Sequence, residues 1–341
     1  MPPLGLYKCP YYSRNCFIVL LPEALWAICR EKRYNINKIK GVWLILFYCF
    51  KLFEFLLFLF PRKYRKAFFI AIANLAYKFD KKRKFYIREN LKIAFGDTLS
   101  EERIEEIGRS CFQNLSMAIL QILENANSKN IEEVGRNVEI KGKEYLTKAL
   151  EEKRPVVIVG SHYGNWEVQI VAVSSTIVPI TLVRNAGKNS YIDQYITDAK
   201  LRYRTISFEK KGVVKHLAKA LKEGGVIALM IDQNLTTRDG IVINFFGKTA
   251  MQTPAPAFLA RKYNAVILPS MIHPQEDGRQ IIEFYEPIEV EKTDNAEEDV
   301  LKATQAQAAW LEEELRKKPD YWFWCHRRWQ RLHPEIYKVP K

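Results

Sequence analysis

Pro155 to Glu167 reads PVVIVGSHYGNWE, and the fold follows from how this stretch changes character along its length. Its first six residues are apolar and rich in β-branched side chains, with no polar alternation. That is the pattern of a strand buried on both faces of a parallel sheet. Gly160 ends the run, and polar and aromatic residues follow. Three further runs share the strand pattern: Ile177 to Val183, Val226 to Ile231 and Ala265 to Ser270. Helical periodicity fills the intervals at 190–203, 212–223 and 253–263. Residues 137–150 carry a short strand and a helix, 281–290 another strand, and 296–317 a polar helix. Strands alternating with helices predict an α/β domain with a mostly parallel central sheet flanked by helices.

Upstream, the chain is helical and basic. Residues 67–96 are predicted helical, with Phe68, Ile72, Leu75, Ala76 and Phe79 on one stripe. Ser100 opens a second helix, with Glu101 and Glu102 in its first turn, where the helix dipole favours acids. Residues 62–92 hold eleven Lys or Arg against Asp80 and Glu89, a local balance of +9 within a chain of net charge +14. They directly follow Gly41 to Pro61, GVWLILFYCFKLFEFLLFLFP, which is long enough for a membrane helix. A basic run beside an apolar segment is the pattern of a protein facing an anionic cytoplasmic leaflet. Lys51 and Glu54 interrupt the apolar segment three residues apart, where one helix face can pair them. The segment reads as an N-terminal membrane-anchoring helix; an amphipathic helix lying in the interface is the alternative.

Composition excludes other classes. At 48% hydrophobic and 27% charged residues, the 341-residue chain buries a large core and is not disordered. The excess of positive charge calls for an acidic partner, whether anionic lipid, an acidic protein or nucleic acid. The six cysteines (Cys9, Cys16, Cys29, Cys49, Cys111, Cys325) show no C-x-x-C spacing, so neither a zinc site nor a disulfide framework is expected. His216, His273 and His333 lack partners at metal-ligand spacing, and no metal is expected. The organisation is an unassigned extension at 1–40, an anchor helix at 41–61, a basic helical region at 62–135 and the α/β domain at 136–341.

The chemistry is expected just past the first strand, because active sites of such sheets collect at the carboxyl ends of strands. A lone histidine is most often a satisfied core residue. His162, however, stands at a strand end, Gly164 permits a tight turn behind it, and Glu167 falls in the first turn of the next helix. That spacing can fold the Glu167 carboxylate back onto the imidazole, fixing its tautomer while the other ring nitrogen takes a proton from a hydroxyl. No nucleophile elbow surrounds His162, and Ser161, its neighbour on a strand, points to the opposite face.

The block SHYGNWE resembles the His-x4-Asp/Glu motif of glycerolipid acyltransferases, and HYGNWE is similar to that of the lipid A biosynthesis lauroyl/myristoyl acyltransferase family. Further blocks resemble that family in the same order. They are Glu89-Asn90-Leu91 with Ala94-Phe95, Asp232-Gln233 after a strand, Phe245-Phe246-Gly247-Lys248 with Ala250 and Thr253-Pro254, and the closing Trp324, His326, Arg327, Arg328 and Trp329. The resemblance runs over roughly residues 40–332. Ala255-Pro256 departs from it, standing where the family often has a glycine.

The resemblance implies a membrane-bound acyltransferase that moves a fatty acyl chain directly from an acyl carrier protein thioester to a hydroxyl of a lipid A precursor. His162 and Glu167 are then the catalytic pair and no cofactor is needed. Arg202, Arg184, Asp232 and Asn165 are candidates for stabilising the oxyanion or positioning substrate. The implied setting is the cell inner membrane with the catalytic domain on the cytoplasmic side, and the partners are acyl carrier protein, the lipid acceptor and the anionic surface, without nucleic acid. Another glycolipid or phospholipid acceptor is the first alternative. A catalytically inactive lipid- or nucleic-acid-binding protein is the second, since cations interleaved with Tyr321, Trp322, Phe323, Trp324 and Trp329 suit either a nucleic-acid surface or a membrane-interface belt, the latter favoured by the apolar anchor.

Overall fold

The alternating pattern builds a seven-stranded sheet. The computed structural model describes residues 36–128, 137–210, 212–275 and 277–338. The readings made for the extension, including Cys9, Cys16 and Cys29, and for the end of the basic region lie outside these residues. The helical part comprises α1 (Ile36–Phe58), α2 (Arg62–Phe79), α3 (Lys81–Phe95) and α4 (Glu101–Asn127). The α/β part runs β1 (Val138–Lys141), α5 (Lys143–Glu151), β2 (Val156–Gly160), α6 (Trp166–Thr176), β3 (Ile180–Arg184), α7 (Ser190–Arg202) and β4 (Thr205–Glu209). It continues through α8 (Val214–Lys222), β5 (Val226–Met230), β6 (Ile241–Phe245), β7 (Lys248–Gln252), α9 (Ala255–Tyr263), β8 (Val266–Pro274), β9 (Gln280–Phe284) and α10 (Ala296–Lys317).

The strand order is β1-β9-β8-β2-β5-β3-β4. Five strands, β8 to β4 in that order, are mutually parallel, and β9 turns back antiparallel on β8 with β1 parallel beside it. Alternation across the sheet divides the core in two. Val157, Val159, Ile227 and Ile267 join one apolar cluster with α3, α4, α9, α10 and the closing segment. Val156, Ile158, Val226 and Val266 join a second with α5 and α6.

Several boundaries differ from the sequence reading. The helix predicted over 67–96 is two helices broken at Asp80 (φ −82°, ψ 74°), whose N–H still bonds Ala76 while its carboxylate caps α3 through the Arg83 N–H. The strand expected from Ile177 begins at Ile180, because Ile177 caps α6 and Pro179 follows. The strand expected over 281–290 ends at Phe284, with Ile288 forming an isolated bridge to Ile267. Strand β4 and the β6–β7 hairpin, which make a separate two-stranded sheet, carry too few consecutive apolar residues to read as strands.

The closing aromatic segment is also corrected. Trp322, Trp324, Trp329 and the guanidinium of Arg328 are all fully buried, so they form no surface belt. They lie across the carboxyl ends of β2 and β5: Tyr163 bridges Trp322, Gly164 N–H bonds Tyr321 O at 2.9 Å and Phe323 N–H bonds His162 O at 3.0 Å.

The chain divides into two units, residues 1–53 and Glu54–Lys341. Helix α1 crosses this division, and among the described residues its Gly41–Phe58 window is the one stretch long and apolar enough to span a membrane. Glu54 is 1% exposed, accepting hydrogen bonds from Asn127 Nδ2 at 2.6 Å and Tyr195 OH at 2.9 Å. Its carboxylate is thus satisfied by α4 and α7.

Candidate active site

Register brings the site together. Strands β2 and β5 are neighbours, pairing Val156 with Val226 through to Gly160 with Met230. His162 and Asp232 each lie two residues past those last partners, so both chains deliver them to the same point at the carboxyl edge. There His162 Nδ1 meets Asp232 Oδ1 at 2.8 Å. Asp232 Oδ2 accepts from the His162 backbone N–H at 2.7 Å and from Trp322 Nε1 at 2.9 Å. With three donors on a carboxylate only 3% exposed, Asp232 holds the ring orientation from both sides. Nδ1 donates its hydrogen to Asp232, which leaves Nε2 as the acceptor nitrogen. Nε2 faces the Gln233 amide nitrogen at 3.4 Å, a contact long enough for an incoming hydroxyl to replace. Trp166 and Phe323 flank the ring at centroid separations of 5.1 and 6.3 Å.

Electrostatics follow from this geometry. Burial pulls the His162 pKa down, but the charge of Asp232, its hydrogen bond and the more distant charge of Glu167 outweigh it, and the net shift is upward. Burial pushes Asp232 up, yet the His162 charge and the three hydrogen bonds lower it to about 2. The carboxylate is therefore ionised throughout the physiological range.

The carboxylate on the imidazole thus belongs to Asp232. Glu167 does fall in the first turn of α6, but Lys200 of α7 draws it aside, with Nζ 2.9 Å from Oε2 and 3.1 Å from Oε1. Asn165 caps α6, its side chain accepting from the Val168 N–H. Arg184 is held by Asp193 at 2.7 Å, with Glu209 at 3.7 Å. Arg202 precedes β4 at the amino-terminal edge of the sheet, and its guanidinium bonds the carbonyls of Asn125 and Ala126 at the end of α4. The structure brings His162, Asp232 and Gln233 into contact, keeps Glu167 within electrostatic range, and commits both arginines to other partners.

The supports were less legible. Arg328 donates to Gln233 O at 3.1 Å, to Gln252 Oε1 at 2.9 Å and to Met251 O, tying the Asp232 loop to β7. Burial lowers its pKa to about 10, leaving it charged. His326 Nε2 accepts from Asn234 N–H at 2.8 Å, and burial depresses its pKa to about 4, so it serves as a neutral acceptor. Asn90 of α3 donates to Trp324 O at 2.7 Å and His326 O at 2.8 Å and accepts from Tyr337 OH at 2.6 Å. Trp322 and Gln233 are contacting residues to which the sequence reading, though it names both, gives no role in the site. Asp232's strand-end position, immediately after the apolar run Val226 to Ile231, was the available signal.

A cavity of about 850 Å³ opens beside the site. Gly164 and Asn165 form one wall, the β8–β9 turn another, and α2 and α4 the rest, bringing in Arg62, Arg65 and Lys66 with Gln113 and Gln121. Gly164 (φ 55°) is required here, since a Cβ would meet Ile272 O at 2.6 Å. Among the described residues no cluster of His, Cys, Asp and Glu could hold a metal ion.

Comparison with known proteins identifies the family. The family described as bacterial lipid A biosynthesis acyltransferase matches residues 30–331. The chain is 24% identical to the lipid A biosynthesis lauroyltransferase of Escherichia coli (strain K12) over 264 residues, 76% of this chain and 83% of the relative. It is 22% identical to the lipid A biosynthesis palmitoleoyltransferase of the same organism over 76% of this chain and 82% of the relative. It is also 24% identical to the phosphatidylinositol mannoside acyltransferase of Mycolicibacterium smegmatis, over 58% of this chain and 64% of that relative. A match covering most of the chain, with an α/β fold carrying the ordered motifs, makes this protein an acyltransferase belonging to the bacterial lipid A biosynthesis acyltransferase family.

Proposed function

We propose that this chain transfers a fatty acyl group from an acyl carrier protein thioester to a hydroxyl of a lipid A precursor, with His162 as general base. The observation that carries the reading is the Asp232–His162 pair, which leaves Nε2 free of a proton; the chain that follows His162 lines a polar cavity at Gly164 and Asn165. Nε2 takes the proton of the acceptor hydroxyl as its oxygen attacks the thioester carbonyl. The new C–O bond forms, the tetrahedral intermediate expels the thiolate as C–S breaks, and the imidazolium returns its proton to the leaving sulfur. Ester and free thiol are the products. Asp232 stabilises the imidazolium while it exists. The Gln233 amide and the Lys200–Glu167 ion pair are the polar groups nearest to hand for the developing oxyanion and the acceptor.

The cavity is lined by amides, by Lys66 and by Arg62 and Arg65 paired with Glu124, a polar lining that suits the sugar and phosphate groups of a glycolipid headgroup. The net charge of +14 and the basic 62–92 segment suit an acidic carrier protein at an anionic cytoplasmic membrane face. Purified full-length protein given radiolabelled acyl carrier protein thioester and a lipid A precursor in vesicles should form a labelled ester, and His162→Ala should form none. A label that moves only to phosphatidylinositol mannoside would keep the chemistry and replace the acceptor. Equal labelling by wild type and His162→Ala would remove the general-base assignment.

A further inference from the structure

Helix α2 has two apolar faces and one core. Phe69, Ala73 and Tyr77 are buried against α4, where Tyr77 meets Phe112 edge-on at 5.4 Å and the Ser116 hydroxyl bonds Phe69 O at 2.8 Å. Tyr64, Phe68, Ile72, Leu75 and Phe79 are exposed. At 100° per residue these five fall within an arc of about 80°, turned away from the buried stripe. Phe55, Leu56, Leu59 and Phe60, just before α2, are exposed as well, so the apolar surface continues without a break in the chain. Exposed apolar surface of this extent marks an interaction site.

Charge identifies the occupant. Lys63, Lys78, Lys81 and Lys82 are exposed near the two ends of the stripe; of the acids against this region, Asp80 is taken by Arg83 and Glu124 by Arg62 and Arg65. A second copy of this chain would set one cationic rim against another, whereas an anionic lipid leaflet neutralises it while accepting the stripe. The same helix has a further side, where Arg62, Arg65 and Lys66 line the cavity that Gly164 and Asn165, just past His162, also line.

We propose that α2 lies in the plane of an anionic membrane leaflet with Tyr64, Phe68, Ile72, Leu75 and Phe79 among the acyl chains. The helix thereby sets the mouth of the Arg62–Arg65–Lys66 cavity at headgroup depth. A lipid acceptor then reaches His162 laterally, without leaving the bilayer. The last step rests on the acyltransferase reading of the site; the membrane contact of α2 does not.

The test reads the two separately. Full-length protein is bound to vesicles of phosphatidylethanolamine and phosphatidylglycerol that carry a phospholipid with a photoactivatable acyl-chain terminus, irradiated, and mapped by peptide mass spectrometry. Adducts on residues 64–79 are expected in addition to any on α1. Adducts confined to α1, or protein–protein cross-links through 64–79, would overturn the proposal. In parallel, Ile72→Glu with Leu75→Glu should lower transfer to a vesicle-embedded acceptor by at least about tenfold. Transfer to the same acceptor dispersed singly in detergent should be unchanged. Equal activity of this variant and wild type on vesicles would overturn the lateral-access step, even where the adducts are found.

Discussion

At the residue scale, the proposed chemistry rests on three donors on Asp232 and one acceptor on His162. Replacing Asp232 by Asn removes the charge that outweighs burial, so the His162 pKa falls. Wild-type turnover should rise with pH through a pKa above 6.5, as Nε2 loses its proton and becomes a base. In Asp232→Asn that limb should move to lower pH while the plateau drops by about 10²–10⁴-fold. Glu167→Gln, acting only through charge and through release of Lys200, should move the limb less. Pre-steady-state turnover across pH 5–9 separates the two.

The same pair makes a signed contribution to stability. Asp232, depressed from 3.8 to about 2, stabilises above pH 3.8 and loses that as pH falls through about 2. His162, raised above 6.5, stabilises fully below 6.5 and loses that as pH climbs through its folded pKa. The joint contribution is therefore greatest between about pH 4 and 6.5 and declines above. The melting-temperature gap between wild type and His162→Ala should narrow from pH 5.5 to pH 8.5; a gap that widens would contradict the pairing.

At the element scale, parallel pairing of β2 with β5 turns two distant strand ends into one site, and the closing segment locks it. Arg328→Met would leave Gln233 O and Met251 O without their buried donor, at a cost on the order of 3–5 kcal/mol. Asn90→Ala, which frees two further carbonyls, should cost about 2–4 kcal/mol; chemical denaturation of the soluble part of the transition reads both. The strand runs, the position of His162 and the turn at Gly164 were legible in the sequence, because burial on both faces and a glycine leave a local trace. Asp232 was legible as a strand-end acid. That it meets His162 was not, since the partner of β2 depends on β5 entering the sheet between β2 and β3. Glu167 looked the nearer partner along the chain, and Lys200, two elements on, took it. Arg202 and Arg184 were implied by the family resemblance, which carries no information about the carbonyls and carboxylates they meet. Trp322, Trp324 and Trp329 resembled a surface belt because composition does not distinguish an aromatic cluster facing lipid from one packed over a sheet edge.

At the scale of the whole molecule, the parts that bear on function converge on one edge of the sheet. Asn90 of α3 anchors the closing segment through Trp324 O and His326 O, and Trp322 of that segment bonds Asp232. The cavity beside it is walled by α2 and α4, and α2 turns its other face to solvent as an apolar stripe with a cationic rim. Neither local pattern nor motif predicts that one helix serves both cavity and surface; the arrangement exists only once α2 packs on α4. The central claim is that His162, oriented by Asp232, adds an acyl chain to a membrane glycolipid. Mass spectrometry of glycolipids from cells making the wild-type chain or His162→Ala tests it most directly. The account predicts a species in the mutant lighter by one acyl chain, the mass difference giving the chain's length. Identical glycolipid profiles, with the His162→Ala protein present at normal level, would contradict it.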